Sequence, residues 1–187
     1  RFAPWAEPAK RMANREALRE LQTRLASRLA AARSEGVSAA WLAVRAGAAA
    51  YLFPLAQAGE IFPLGNLQAV PYARPWFLGV TNLRGGAYGV VDLAGFIAPA
   101  HQRAPQEQWL SAASVVSFNA ALDMNCALLV DELAGLRKAE AFTSMSAAAE
   151  GAPAYFGHQF KDAQGELWQE INLQSLAQFS EFLSINA

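Results

Sequence analysis

The residues in this chain that could do chemistry are few and scattered. The most conspicuous is Arg84, in the stretch FLGVTNLRGGAYGVVDL from Phe77 to Leu93. Such an arginine could be a catalytic clamp, a phosphate ligand, an ion-pair partner or part of a docking face. Gly85, Gly86 and Gly89 superficially resemble a nucleotide loop. A phosphate cradle needs a strand that runs into a helix N-terminus, whereas AYGVVDL continues as a strand, so the stretch reads as a hairpin. Asp131 and Glu132 are adjacent, and adjacent strand residues point to opposite faces, so they form no acid/base dyad by themselves. His101 and His158 lie far apart, and no nucleophile elbow or Cys/His cluster accompanies them. Cys126, the only cysteine, sits in the apolar run CALLV and reads as a buried, inert thiol. The expectation is a non-enzyme with no metal and no cofactor.

The elements around these residues are mostly short strands. AAWLAV, AAYLFPL, GEIFPL, WFLGVTNL, AYGVVDL, ASVVSF, CALLVDEL, AYFGHQF and ELWQEINL are apolar runs separated by turn residues, the texture of small barrels or a sandwich. No second long helical pattern interrupts them, which disfavours a doubly wound α/β fold. Helical turns are expected near Leu55–Gly59 and Gly95–Ala98, and SLAQFSEFL reads as a closing helix capped by Ser175. Pro99–Gln108 reads as a linker, and Phe142–Pro153 as a second loop.

Residues 1–13 read as a flexible lead, with Met12 a candidate natural start, and residues 14–36 as a helix. Leu18, Leu21, Leu25, Leu29 and Ala32 recur at steps of three and four, giving one apolar stripe. Asn14 is the expected cap and Gly36 the expected stop. The stripe suits docking on the helix's own domain or on a partner. Residues 37–187 form the body.

Composition bounds the function. Apolar residues make up 53% of the 187 and charged residues 17%, as in a folded body with a substantial core. Through Arg45 there are nine Lys/Arg and four Asp/Glu, a balance of +5; the remaining six and twelve leave the body at −6. A basic arm on an acidic body argues against nucleic-acid binding, which favours a basic stripe on the fold itself. No apolar run approaches the ~18 residues of a membrane-spanning helix, and no secretory signal opens the sequence. Trp41, Phe53, Phe62, Trp76, Phe77, Phe96, Trp109 and Trp168 read mostly as core, with some available to line a groove.

The order of segments resembles the CheW family of chemotaxis coupling proteins. VPYARPWFLGVTNLRGGAYGVVDL carries the most specific likeness: a Pro-bounded approach, Gly-Val-x-Asn-Leu-Arg-Gly, then a strand ending Val-Asp-Leu. AYLFPLAQAGEIFPL, CALLVDELAGL and YFGHQFKDAQGELWQEINLQSL support it, so the likeness covers Ala40 to Ala187. Within the family the arginine-rich helix and the ending SLAQFSEFLSINA resemble the branch that serves twitching motility. One departure is Gly89, where the family usually has proline.

The resemblance implies a mainly β fold of two packed SH3-like β-barrel subdomains, here with an N-terminal helix and a short C-terminal helix. It implies an adaptor without catalysis, cytoplasmic and recruited to receptor arrays. Its partners would be the cytoplasmic tip of a methyl-accepting chemoreceptor and the regulatory domain of a CheA-type histidine kinase, in a pathway controlling type IV pili. A coupling protein of a flagellar array, a regulatory domain cut from a kinase and an oligonucleotide-binding barrel are the alternatives. By the same resemblance, Glu60 and Arg84 would form a partly buried structural ion pair where the barrels meet. Leu55, Ala58, Ile61, Gly79, Asn82, Gly85 and Val90 would border an apolar groove for receptor or kinase beside that pair, with Gly79 admitting a partner's backbone.

Overall fold

The computed structural model describes residues 15–27, 40–101, 110 and 112–186. Eleven strands are described: β1 (Ala40–Ala46), β2 (Ala49–Pro54), β3 (Ala58–Pro63), β4 (Phe77–Leu83), β5 (Gly86–Asp92), β6 (Ser114–Phe118), β7 (Cys126–Val130), β8 (Glu132–Lys138), β9 (Phe142–Ser146), β10 (Phe156–Asp162) and β11 (Leu167–Ile171). They build a six-stranded sheet in the order β8-β1-β2-β11-β10-β9 and a five-stranded sheet in the order β3-β6-β7-β5-β4. The chain starts in the first sheet, builds the whole second sheet, and returns. This is the mainly β fold of two subdomains that the family resemblance implied.

Alternation along the strands explains why the apolar runs are continuous. In β1, Leu42, Val44 and Ala46 enter one large core, while Trp41 and Ala43 enter a smaller one with Leu52, Phe160 and Trp168. In β7, Cys126, Leu128 and Val130 join the large core, while Ala127 and Leu129 enter a third with Leu83, Val90 and Val115. Each sheet therefore wraps a core of its own on one face and shares the large core on the other. A strand buried on both faces loses the regular polar alternation of a half-exposed one; the buried polar residues of β6, Ser114 and Ser117, are each hydrogen-bonded.

Both sheets curl shut by bending one stretch of chain. In the second sheet, β3 pairs with β6, and the continuation beyond β3 reaches the opposite edge: Gln68 bridges Val80 of β4, with N–H···O distances of 2.8 Å in both directions. Thr81 Oγ1 donates to the Asn66 carbonyl at 2.8 Å beside it. Gly79 makes this closure possible. Its φ is +138°, and a Cβ there would lie 2.2 Å from the Gln68 carbonyl oxygen. In the first sheet, β8 pairs with β1 and, after a 3-10 turn at Ala139–Ala141, β9 pairs with β10. The expected loop at Phe142–Pro153 thus begins as a strand.

Besides three 3-10 turns and helical Leu110, four α-helices are described. Residues 15–27 form α1, which packs onto the body: Leu25 lies in the large core, Ala26 packs against it, and buried Gln22 donates from Nε2 to Ser114 Oγ at 2.6 Å. The inward face is Leu18, Gln22 and Leu25, so the stripe is rotated from the expected one, and Leu21 is exposed. Arg15, Arg19 and Arg24 face outward. Asn14, Leu29, Ala32, Gly36 and most of the expected linker lie outside the described residues. Leu93–Ile97 is α2. The expected closing helix is two short ones, α3 (Leu173–Ala177) and α4 (Ser180–Leu183). Asn172, not Ser175, caps α3, its side chain accepting from Ser175 N at 3.0 Å. Phe182 of α4 plugs the large core against Phe96 and Trp76.

Charged groups stitch the outside of the first sheet. Arg45 pairs with Glu166 and lies 5.3 Å over the Trp168 ring. The Trp168 indole donates to Asp162 Oδ2 at 3.0 Å. That bond, joined by the backbone N–H groups of Glu166 and Gln164, holds the Asp162 carboxyl below its ordinary value of 3.8. Burial pushes the Cys126 thiol up to about 12, in keeping with an inert cysteine.

Two outcomes follow from this architecture. Gly79→Ala should lower the unfolding free energy by about 2–4 kcal/mol, read as a lower urea midpoint at an unchanged slope, because it combines a forbidden backbone conformation with a collision against backbone. Asp162 has a depressed folded-state pKa, so its contribution to stability is present above the unfolded value and is lost as pH falls through the folded one. Thermal melts from pH 5 downward should therefore show a flatter acid decline for Asp162→Asn than for the parent.

Candidate functional site

The hairpin of β4 and β5 turns on two residues. Leu83 and Gly86 are the last register pair, and both turn residues have positive φ, +50° at Arg84 and +80° at Gly85. This is the conformation of the two-residue primed turn, whose first position ordinarily takes Asn or Gly. An arginine there costs about 1 kcal/mol of backbone strain. Asn82 holds the turn by accepting from Gly85 N through Oδ1 at 2.9 Å.

Strain at an exposed turn points to a use for the side chain. Arg84 Nη2 reaches Glu60 Oε2 at 2.7 Å, and its guanidinium lies 6.0 Å over the Phe62 ring. Both partners stand on β3, which the order of the sheet puts at the opposite edge from β4. The arginine thus ties together the two edges that the Gln68–Val80 bridge also joins. Glu60 is itself fixed, its N–H donating to Ser117 Oγ at 2.8 Å. A cavity of about 390 Å³ opens beside it, lined by Glu60, Tyr88, Phe118, Asn119 and Asp123 among others.

The pair forms, but not where the sequence placed it. Both residues belong to the second sheet, not to the junction of the two, and the Arg84 and Glu60 side chains are 73% and 43% exposed. At that exposure its net contribution to stability is small, about 0.2–1 kcal/mol. Its geometry sets surface chemistry: an acid and a base held at fixed positions on a rigid rim.

The expected apolar groove is not assembled. Leu55, Ala58 and Ile61 are buried in the large core, and Val90 is fully buried in the core of the second sheet. Buried in this way, they present no apolar surface to a partner. Gly79 is buried too, and the backbone it admits is the chain's own Gln68. What remains at the surface is Glu60, Asn82, Arg84 and Gly85. Phe62, one of the aromatics available to line a groove, joins them by position, as do Tyr88 and Asp123, which no motif singled out. Gly89, the departure from the family pattern, leaves room for Phe77, whose ring would lie 2.9 Å from a Cβ there.

The other chemistry-bearing residues do not converge. Asp131 Oδ2 accepts from Gly47 N at 2.7 Å, while Glu132 lies 3.8 Å from Arg45. His158 is exposed on β10. Among the described residues no group of three or more His, Cys, Asp or Glu could hold a metal ion. Trp41, Trp76 and Trp168 are all buried, so they form no stacking platform for bases. No described helix is long and apolar enough to cross a membrane.

The CheW-like domain pattern matches residues 40–181. Protein PilI of Pseudomonas aeruginosa is 26% identical over 164 residues, which make up 87% of this chain and 88% of that protein. The crystal structure of scaffolding protein TtCheW from Thermoanaerobacter tengcongensis aligns with a TM-score of 0.58 at 14% identity, over 73% of this chain and 86% of that one. At that identity the likeness speaks for the fold.

The strain and the exposed pair give opposite contributions to stability. Arg84→Gly should relieve about 1 kcal/mol of backbone strain while losing about 0.5 kcal/mol of exposed ion pair. Its melting temperature should equal or slightly exceed that of the parent, whereas Glu60→Ala should lose under about 1 kcal/mol. A large loss on Arg84→Gly would mean the arginine is structural after all.

Proposed function

This chain belongs to the CheW-like domain family, and we propose from that premise that it couples a methyl-accepting chemoreceptor to a CheA-type histidine kinase in a pathway that controls type IV pili. Family membership carries the coarse function, a scaffold in chemotaxis-type signalling, which works by binding and not by catalysis. The pilus assignment rests on the similarity to PilI over most of both chains. In this reading the protein stands on the cytoplasmic side of a receptor array.

The observation that carries the docking surface is the strained Arg84 turn, locked to Glu60 across the closed edge of the second sheet. Polar rims of this kind set register and orientation more than they supply affinity. Asn82, Arg84, Gly85 and Glu60 would contact the partner, and the neighbouring cavity would receive one of its side chains. Leu55, Ala58, Ile61, Gly79 and Val90 act by keeping that rim rigid. The helix α1 packs on its own body, which leaves its arginine face as a secondary surface.

Titration of the cognate kinase's regulatory domain into the purified chain tests this. The parent should bind saturably, and Arg84→Ala and Arg84→Gly should both bind more weakly while staying folded by circular dichroism. Equal binding by parent and both variants would remove the turn from the interface. No binding by the parent at roughly hundreds of micromolar would overturn the partner assignment.

A further inference from the structure

Tyr72 is 91% exposed, the most exposed large apolar side chain among the described residues, and its backbone stands at φ +58°. Pro71 followed by a residue of positive φ is the pattern of a type II turn, whose third position ordinarily takes Gly or Asn. A bulky ring there strains the backbone, and at this exposure it gains almost no contact from its own chain in return. The turn is nevertheless held firmly. Ala73 bridges Asn186, Arg74 N donates to the Ile185 carbonyl at 2.7 Å, and Arg74 Nε donates to the Asn186 carbonyl at 3.0 Å. The ring is thus presented from a fixed platform.

A cavity of about 460 Å³ lies beside that platform, lined among others by Arg74, Trp76, Phe96, Glu181 and Ser184. Its floor is aromatic, with the Trp76 and Phe96 rings 5.0 Å apart in an edge-to-face contact. Arg74 and Glu181 are both exposed, and among the described residues neither makes an ion pair. One face therefore carries a projecting ring, a hole with an aromatic floor, and exposed charges of both signs.

We propose that the chain self-associates as a two-fold dimer in which the Tyr72 ring of each copy enters the aromatic-floored cavity of the other. A two-fold contact requires a patch complementary to itself. Knob and hole side by side satisfy that requirement in shape, and Arg74 meeting Glu181 of the second copy satisfies it in charge. A tyrosine anchor in a pocket, ringed by polar groups, is the arrangement that concentrates binding energy in small interfaces.

Sedimentation velocity of the full chain, taken to roughly millimolar concentration, tests the proposal. The parent should shift from monomer to dimer with rising concentration. Tyr72→Gly, which suits the turn and removes the knob, should melt at the same temperature or higher and stay monomeric. Arg74→Glu and Glu181→Arg should each weaken association. An equimolar mixture of those two should regain it, because the mixed dimer restores both charge pairs. A parent that remains monomeric, a Tyr72→Gly variant that dimerises like the parent, or a mixture that fails to recover would each overturn the proposal. Weaker kinase-domain binding by Tyr72→Gly with a monomeric parent would reassign the ring to a different partner and likewise overturn the dimer.

Discussion

Burial of both faces of β1, β2, β6 and β7, and of the last three residues of β5, is the constraint on which everything else in this protein rests. Each sheet must satisfy its own core and the shared one at once, so its strands cannot shift register by a residue without exchanging two sets of buried side chains. Val115 and Val116 illustrate the point: one belongs to the second sheet's own core and the other to the large core. The parallel pairing of β2 with β11 ties the two ends of the first sheet around the inserted second one. Few ways of moving are left to the body, and the hairpin at Arg84 inherits that rigidity.

Rigidity gives the rim its value. An exposed ion pair contributes little stability on a mobile loop because ordering two long side chains costs entropy. Here the turn is fixed by Asn82 and by the closed edge at Gln68, and Glu60 is fixed through Ser117. The ordering cost is met largely by folding, and a partner encounters a preorganised surface. The strained backbone at Arg84 fits the same account, since the fold tolerates about 1 kcal/mol to hold a guanidinium where Asn or Gly would be easier.

The strands and turns were largely legible in the sequence, because each apolar run is short and bounded by turn residues. The Glu60–Arg84 pairing was legible through the family motif. Its exposure was not, because the strand order that brings β3 beside the β4–β5 turn depends on a closure through Gln68 that no local pattern signals. Leu55, Ala58, Ile61 and Val90 were open to misreading for a related reason: an apolar side chain suits a docking groove and a core equally, and only the packing of the two sheets buries these four. In α1 the polar Gln22 displaced Leu21 from the inward face because Ser114 offers it a buried hydrogen-bond partner 92 residues away. The strand β9 was missed because FTSMS has little hydrophobic signal and is held at an edge by backbone pairing to β10.

The most direct measurement is amide chemical-shift mapping of the isotopically labelled chain as the kinase regulatory domain, and separately a receptor-tip helical hairpin, is added. The account predicts that shifts from one or both partners concentrate on Glu60, Asn82, Arg84 and Gly85 and on the cavity wall around Asn119 and Asp123, while Leu55, Ala58, Ile61 and Val90 move little. Saturable binding with those four surface residues unperturbed and the shifts confined to the outer face of α1 or to the edge strand β9 would contradict it.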